Sequence, residues 1–404
     1  MFYKKAIIFI FLLLLVVSAC FAAYRYLDQR LRGNSVGIRK AQDGFFTRRS
    51  LAFPEGIQMI SPEEYMDAME EDEELSDEAL RESIENFFNP TATTAAFVLN
   101  NADEFLYFRG NDDIFEREEI SDRIINILFL GDDARIYQER GRSDTIMLIS
   151  YNRDTHVITL TSFMRDILVP FTGLNSTYWN RINLMYALGG PGRTINVINY
   201  LYALDIQRYA AVRFSGVFAL VDALEGLELY LRDDEAAMIN RIFPDYEAVS
   251  GGYNLLDGRQ VLAYSRMRVL DGDLVRTQRQ RNVIITLLNK ILDTRNISDI
   301  FSMAAFALDH LETNIQLDEI FTFGIELFSG PRPHVEELRL PIDGSFNHGQ
   351  FNGAFILTID FDENVRALHE AVYGSAEGVE IPFYALPEMD QSETAAIAEE
   401  FDND

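Results

Sequence analysis

The chain has 404 residues, 48% of them hydrophobic and 12% aromatic, with a formal net charge of −29. That apolar content suits a folded protein of two or three domains and excludes a disordered chain. The acidic balance excludes general nucleic-acid binding, which needs a broad basic surface against the phosphate backbone. The single cysteine, Cys20, excludes an intrachain disulfide and leaves the redox compartment open.

Residues 1–24 open with Lys4 and Lys5 and continue as an apolar run from Ala6 to Ala23, at the lower edge of what crosses a bilayer as a helix. The expectation is an uncleaved membrane anchor with its amino end inside. The competing reading is a lipoprotein signal, because Val17-Ser18-Ala19 places small residues before Cys20, a position open to lipidation. Arg25, Arg30 and Arg32 follow the run and rival the leading lysines, so charge alone does not fix orientation. Both readings put the remaining chain outside the cytoplasm, bound to the cell membrane.

Residues 25–120 read as an acidic extracytoplasmic linker or accessory region. A basic juxtamembrane stretch with Arg39, Lys40, Arg48 and Arg49 suits anionic lipid headgroups. An acidic block from Glu63 to Glu85 follows, with sparse apolar residues, and reads as solvated helices; it lacks the loop spacing of a calcium hand.

From 121 to 375 the pattern is α/β, and the expected fold is a central mixed β-sheet covered by helices. Ile124–Leu130, Thr145–Tyr151, Val157–Phe163 and Ala354–Ile359 are apolar or alternating runs of strand length. Helical spacing is expected at 194–204, 217–224, 259–267, 274–292 and 364–373. Residues 376–404 carry no Lys or Arg and read as an acidic tail.

Tyr264–Arg281 holds the strongest chemical signal. It packs Arg266, Arg268, Arg276, Arg279 and Arg281 into eighteen residues of an acidic chain, tempered nearby only by Asp271 and Asp273. Arginine forks fit phosphate oxygens two at a time, so the cluster points to a phosphate-bearing ligand. On the expected helix Arg276, Arg279 and Gln280 share one face. The first strand ends in Asp132-Asp133, and Arg142-Ser143-Asp144 opens the next. Neighbouring strands would bring Asp133 and Asp144 together, a pair suited to a magnesium ion that shares its shell with phosphate oxygens. Arg165 follows the third strand. Gly189-Gly190-Pro191-Gly192 reads as a loop before a helix; without lysine it is no nucleotide loop. A serine-hydrolase elbow and zinc-ligand spacing among the five histidines are both missing, which excludes those hydrolases.

These segments, with Asn183, Val221–Gly226 and Leu256-Asp257-Gly258, occur in the order seen in the LytR–CpsA–Psr family, and the chain resembles that family over roughly 121–375. The resemblance implies a membrane-anchored phosphotransferase. It would move a glycopolymer, such as a teichoic acid or capsule, from a polyprenyl-pyrophosphate carrier onto peptidoglycan. It further implies magnesium or manganese on the pyrophosphate and an apolar pocket for the lipid. The family's metal-site carboxylates match Asp133 and Asp144, and its pyrophosphate-binding residues match Arg142, Arg165, Arg266, Arg268, Arg276 and Gln280. Two departures stand out: Phe163-Met164 replace the usual Ile-Pro, and Glu225 replaces a glycine. A lipid-pyrophosphate hydrolase and a non-catalytic binding or regulatory protein of the envelope are the alternative functions.

Overall fold

The computed structural model describes residues 38–40, 56–61, 113–132, 141–172, 177–267, 272–293 and 311–379. Residues 1–37, the whole acidic block and the tail beyond 379 lie outside the described residues, and with them the expected anchor and Cys20. Among the described residues, no helix is long and apolar enough to cross a membrane.

Three short strands come first: β1 (Ile38–Lys40), β2 (Gln58–Met59) and β3 (Ile114–Glu116). The centre is built by β4 (Ile124–Asp132), β5 (Ser143–Asn152) and β6 (Val157–Phe163), followed by the ribbon β7 (Leu168–Thr172) and β8 (Thr177–Arg181). Next come helix α1 (Leu184–Leu201), β9 (Arg208–Arg213), α2 (Phe214–Ala223), β10 (Leu227–Leu231), α3 (Asp233–Ile242) and β11 (Gly252–Leu256). Helices α4 (Gly258–Arg266) and α5 (Gly272–Asp293) carry the arginine cluster. The chain then forms β12 (Leu311–Thr313), α6 (Leu317–Ser329), β13 (His334–Leu340), β14 (Phe346–Phe351), β15 (Ala354–Ile359) and α7 (Phe361–Tyr373).

Six strands make one mixed sheet in the order β12-β9-β4-β5-β6-β13. β9 runs parallel to β4 and β13 parallel to β6, while the other neighbours are antiparallel. Both faces are covered, which is why β4 reads as a nearly unbroken apolar run. Leu128, Leu130, Ile146 and Leu148 enter the core shared with α1 and α7. Ile125, Met147, Ile158 and Leu160 turn the other way, against Ile284, Ile285 and Leu288 of α5. A third cluster, with Val221, Leu229, Ile239 and Val261, seals α2, α3, α4 and the β10–β11 ribbon onto the outer side of α5 through Val283 and Leu287. Each such side chain contributes about 1.5–3 kcal/mol on full burial. Helix α5 is thus packed on two sides, and its first turns project towards the carboxyl ends of β4 and β6.

Two pieces of the region expected as a linker pair with later strands. β1 lies parallel to β3, and β2 extends the β15–β14 hairpin as an edge strand.

α1 differs from its expected form. It begins at Leu184, ahead of the glycines, and is broken where Gly189 (φ −149°) and Gly190 (φ 66°) leave helical geometry. Pro191 then starts the second segment at a position where its missing N–H costs nothing.

Candidate active site

The carboxyl ends of β4, β6, β9 and β13 and the start of β5 meet at one edge of the sheet. Register places Asp132 opposite both Ser143 and Arg213, and Phe163 between Ile146 and Leu340. Ligands of α/β sheets gather at such strand ends.

Asp144, the second residue of β5, is the hub. Its Oδ2 accepts from Arg165 NH1 at 2.9 Å and lies 3.6 Å from Arg276 NH1. Its Oδ1 accepts from Asn183 Nδ2 at 3.1 Å. Arg165 Nε also lies 3.5 Å from Asp166, which receives Arg181 NH1 at 3.0 Å. Among the described residues, three guanidinium groups therefore converge on two carboxylates at a site from which water is largely excluded. Arg276 itself is only 3% exposed. Cations held this close in a low dielectric favour a multiply charged anion.

Met164, expected from the resemblance to replace a proline, donates its N–H to the Leu340 carbonyl at 2.8 Å. That bond, which proline could not make, ties the turn carrying Arg165 to β13.

Asn183 is the residue that sequence reasoning placed in the family pattern without a site role. Its N–H donates to the Arg165 carbonyl, and its own carbonyl receives the Ser143 N–H, both at 3.3 Å. The side chain is 2% exposed, and its Oδ1 has no hydrogen-bond partner among the described residues. Only the tie to Ser143, the residue before Asp144, could have flagged it, and that tie is not visible in sequence.

The other expected site residues are placed as follows. Arg142 stands half-buried directly before β5. Arg266 ends α4, whose start is fixed by a reciprocal cap: Asp257 Oδ1 accepts from Gln260 N–H at 2.8 Å, and Gln260 Oε1 from Asp257 N–H at 3.1 Å. Gln280 is buried on α5, one turn beyond Arg276. Asp133 falls in 133–140 and Arg268 in 268–271, both outside the described residues. Asp132, its neighbour, is buried and closes the base of the 133–140 segment: Oδ1 accepts from Gly141 N–H at 2.8 Å, with Arg213 Nε 3.8 Å from Oδ2. Arg279 does not join the face expected of it. Despite its helical spacing with Arg276, its guanidinium turns inward to Glu235 at 2.7 Å.

For a divalent metal, the described donors are one carboxylate, Asp144, and the unsatisfied amide oxygen of Asn183. Both are hard oxygens, the donor type magnesium and manganese take, and magnesium needs only one or two protein carboxylates when phosphate completes its shell. The residues fit such an ion. No group of three or more metal-binding side chains is present among the described residues.

A mixed sheet with helices on both faces, and two arginines on one carboxylate at a sheet edge, defines an α/β protein with a charged site at that edge. The LytR_cpsA_psr family model matches residues 101–368, and the chain belongs to that family. Biofilm regulatory protein A of Streptococcus mutans is 31% identical over 215 residues, 52% of this chain and 53% of that protein. The Enterococcus faecalis protein TagU, a polyisoprenyl-teichoic acid–peptidoglycan teichoic acid transferase by name, is 30% identical over 197 residues. That match covers 47% of this chain and 60% of TagU, so the chain spans a little over half the length of these two relatives. The crystal structure of protein gbs0355 from Streptococcus agalactiae shares the fold, with a TM-score of 0.56 at 22% identity over 69% of this chain and 98% of that one.

Proposed function

We propose that this chain is a membrane-anchored, extracytoplasmic phosphotransferase that moves a glycopolymer from a polyprenyl-pyrophosphate carrier onto peptidoglycan. The observation that carries the proposal is Asp144 held between Arg165 and Arg276 in a cluster of converging guanidinium groups. The name of the TagU relative supports the same chemistry.

The acceptor hydroxyl attacks the phosphorus that bears the glycan. A new P–O bond forms, the bridging P–O bond breaks, and polyprenyl phosphate leaves with the electron pair. The hydroxyl proton passes to a site carboxylate. Arg165 and Arg276 stabilise the charge that develops on the leaving phosphate, with Arg142, Arg266, Arg268 and Gln280 as the further pyrophosphate contacts. Preorganised charge of this kind is usually the largest catalytic contribution. Asp144 and Asp133 would hold magnesium or manganese, which supplies charge neutralisation on the pyrophosphate oxygens. The lipid would need an apolar groove between the sheet and the helices that opens beside Arg266 and Arg268, the latter outside the described residues.

The anchor rests on the Ala6–Ala23 run, with lipidation of Cys20 as its alternative. Labelling intact cells and shaving them with protease tests it: residues 121–375 should be accessible from outside, and protection of that domain would overturn the placement. Cys20→Ser should leave migration unchanged unless the protein is a lipoprotein. A second reading, supported by the name of the Streptococcus mutans relative, is a regulator that holds the lipid-linked polymer without turning it over. Turnover by the purified protein separates the two.

A further inference from the structure

Arg279 is 1% exposed and lies in the middle of α5, between the two pyrophosphate-site residues expected on that helix. Its Nε donates to Glu235 Oε1 at 2.7 Å, and its NH1 donates to the main-chain carbonyl of Met267 at 2.9 Å. Glu235 is itself fixed: it is 3% exposed, and its Oε2 accepts the Arg232 N–H at 2.9 Å as part of the box that starts α3.

Met267 is the residue between Arg266 and Arg268. There α4 ends, with φ −57° and ψ 129°, and the Met267 side chain is buried at 1% exposure. A single guanidinium therefore binds the residue after Arg266 to the helix that carries Arg276, one turn away. Apolar packing alone would hold α5 against α4, since Val283, Leu287, Val261 and Ala263 already share one cluster. A buried ion pair is a poor way to add stability compared with apolar residues of equal volume, but its directed bonds can specify one geometry.

We propose that Arg279, held by Glu235, is a positioning residue of the pyrophosphate site. It fixes the Met267 carbonyl and so sets the spacing of Arg266 against Arg276. This role rests on the pyrophosphate reading given above.

The test uses the full-length protein in detergent, with geranylgeranyl pyrophosphate and the uncharged geranylgeraniol as probes in calorimetry. Arg279→Met keeps length and apolar volume and removes the donors; Glu235→Gln keeps shape and removes the charge. Asn199→Ala, which breaks buried bonds to Ile206 between α1 and β9, serves as a destabilised control away from the site. The expected result is a loss of pyrophosphate affinity on the order of tenfold in Arg279→Met, typical of removing an outer partner that orients a site group. A smaller loss is expected in Glu235→Gln, with unchanged geranylgeraniol affinity and no effect in Asn199→Ala. Should Arg279→Met not fold, Glu235→Gln decides, read by pyrophosphate affinity and by faster amide exchange at residues 266–268. Wild-type affinity in the folded variants, or an equal loss in Asn199→Ala, overturns the positioning role alone. No pyrophosphate binding by the wild-type protein overturns the underlying reading and the role with it.

Discussion

Asn183 holds Asp144 from the side opposite the arginines: Nδ2 donates to Oδ1 at 3.1 Å while Arg165 takes Oδ2 at 2.9 Å. Both carboxylate oxygens are thus oriented before any ligand arrives. Asn183→Ala frees one of them, and turnover should fall roughly tenfold, the equivalent of one hydrogen bond of about 1–1.5 kcal/mol. Steady-state kinetics with a lipid-linked glycan checks this. Asp144→Asn should be far more severe, with losses of about 10²–10³-fold or more as the charge disappears, and circular dichroism should show the fold retained.

Arg276→Ala should weaken binding of a prenyl pyrophosphate by about 1.5–3 kcal/mol, the worth of a hydrogen bond to a charged group. Arg276→Lys should lose much of the same affinity, because an ammonium group cannot reproduce the planar fork. Calorimetry on both variants measures the effect. The same substitutions at Arg39 or Arg48 should leave turnover by the solubilised protein intact.

Stability should fall as pH drops below about 6.5, the ordinary value for an imidazole. His369 is 2% exposed, its Nε2–H donates to the Tyr202 carbonyl at 2.9 Å, and burial pushes its pKa down despite nearby Asp205. Burial lowers His348 likewise. A depressed folded pKa means that the unfolded chain takes up the proton first, so the unfolded state binds more protons and stability rises with pH through this window. Melting temperature measured from pH 7 to pH 5 should decline, and His369→Gln, which keeps a donor but does not titrate, should flatten the slope.

Glu225 occupies a left-handed position, φ 60°, at the turn from α2 into β10. An L side chain is strained there. Glu225→Gly should raise stability by about 0.5–1 kcal/mol, the strain relieved less the extra freedom of the unfolded glycine. A rise in melting temperature with unchanged turnover would confirm this.

The sequence carried the sheet better than the helices that shape the site. β6 and β15 fall on their expected bounds because Val157–Phe163 and Ala354–Ile359 have the apolar patterns of buried strands. α1 was misread at its start because Gly189-Gly190 signals a break, which it is, but the tertiary core accepts helical turns on both sides of it. α3 escaped notice because its polar first turn, Asp233-Asp234-Glu235, masks a short apolar stripe. Arg165 and Arg276 were expected at one site from their chemistry and family position, and the fold brings both to Asp144. The inward turn of Arg279 was not, because helical spacing tells which residues share a face and not whether a buried carboxylate from α3 waits there.

The central claim is tested most directly by incubating the purified protein with a lipid-linked glycan and a peptidoglycan oligomer, followed by mass spectrometry. The account predicts a phosphodiester-linked glycan–peptidoglycan product that requires a divalent metal and is lost in Arg276→Ala and Asp144→Asn. Free polymer phosphate without the linked product, or no turnover at all, would contradict it.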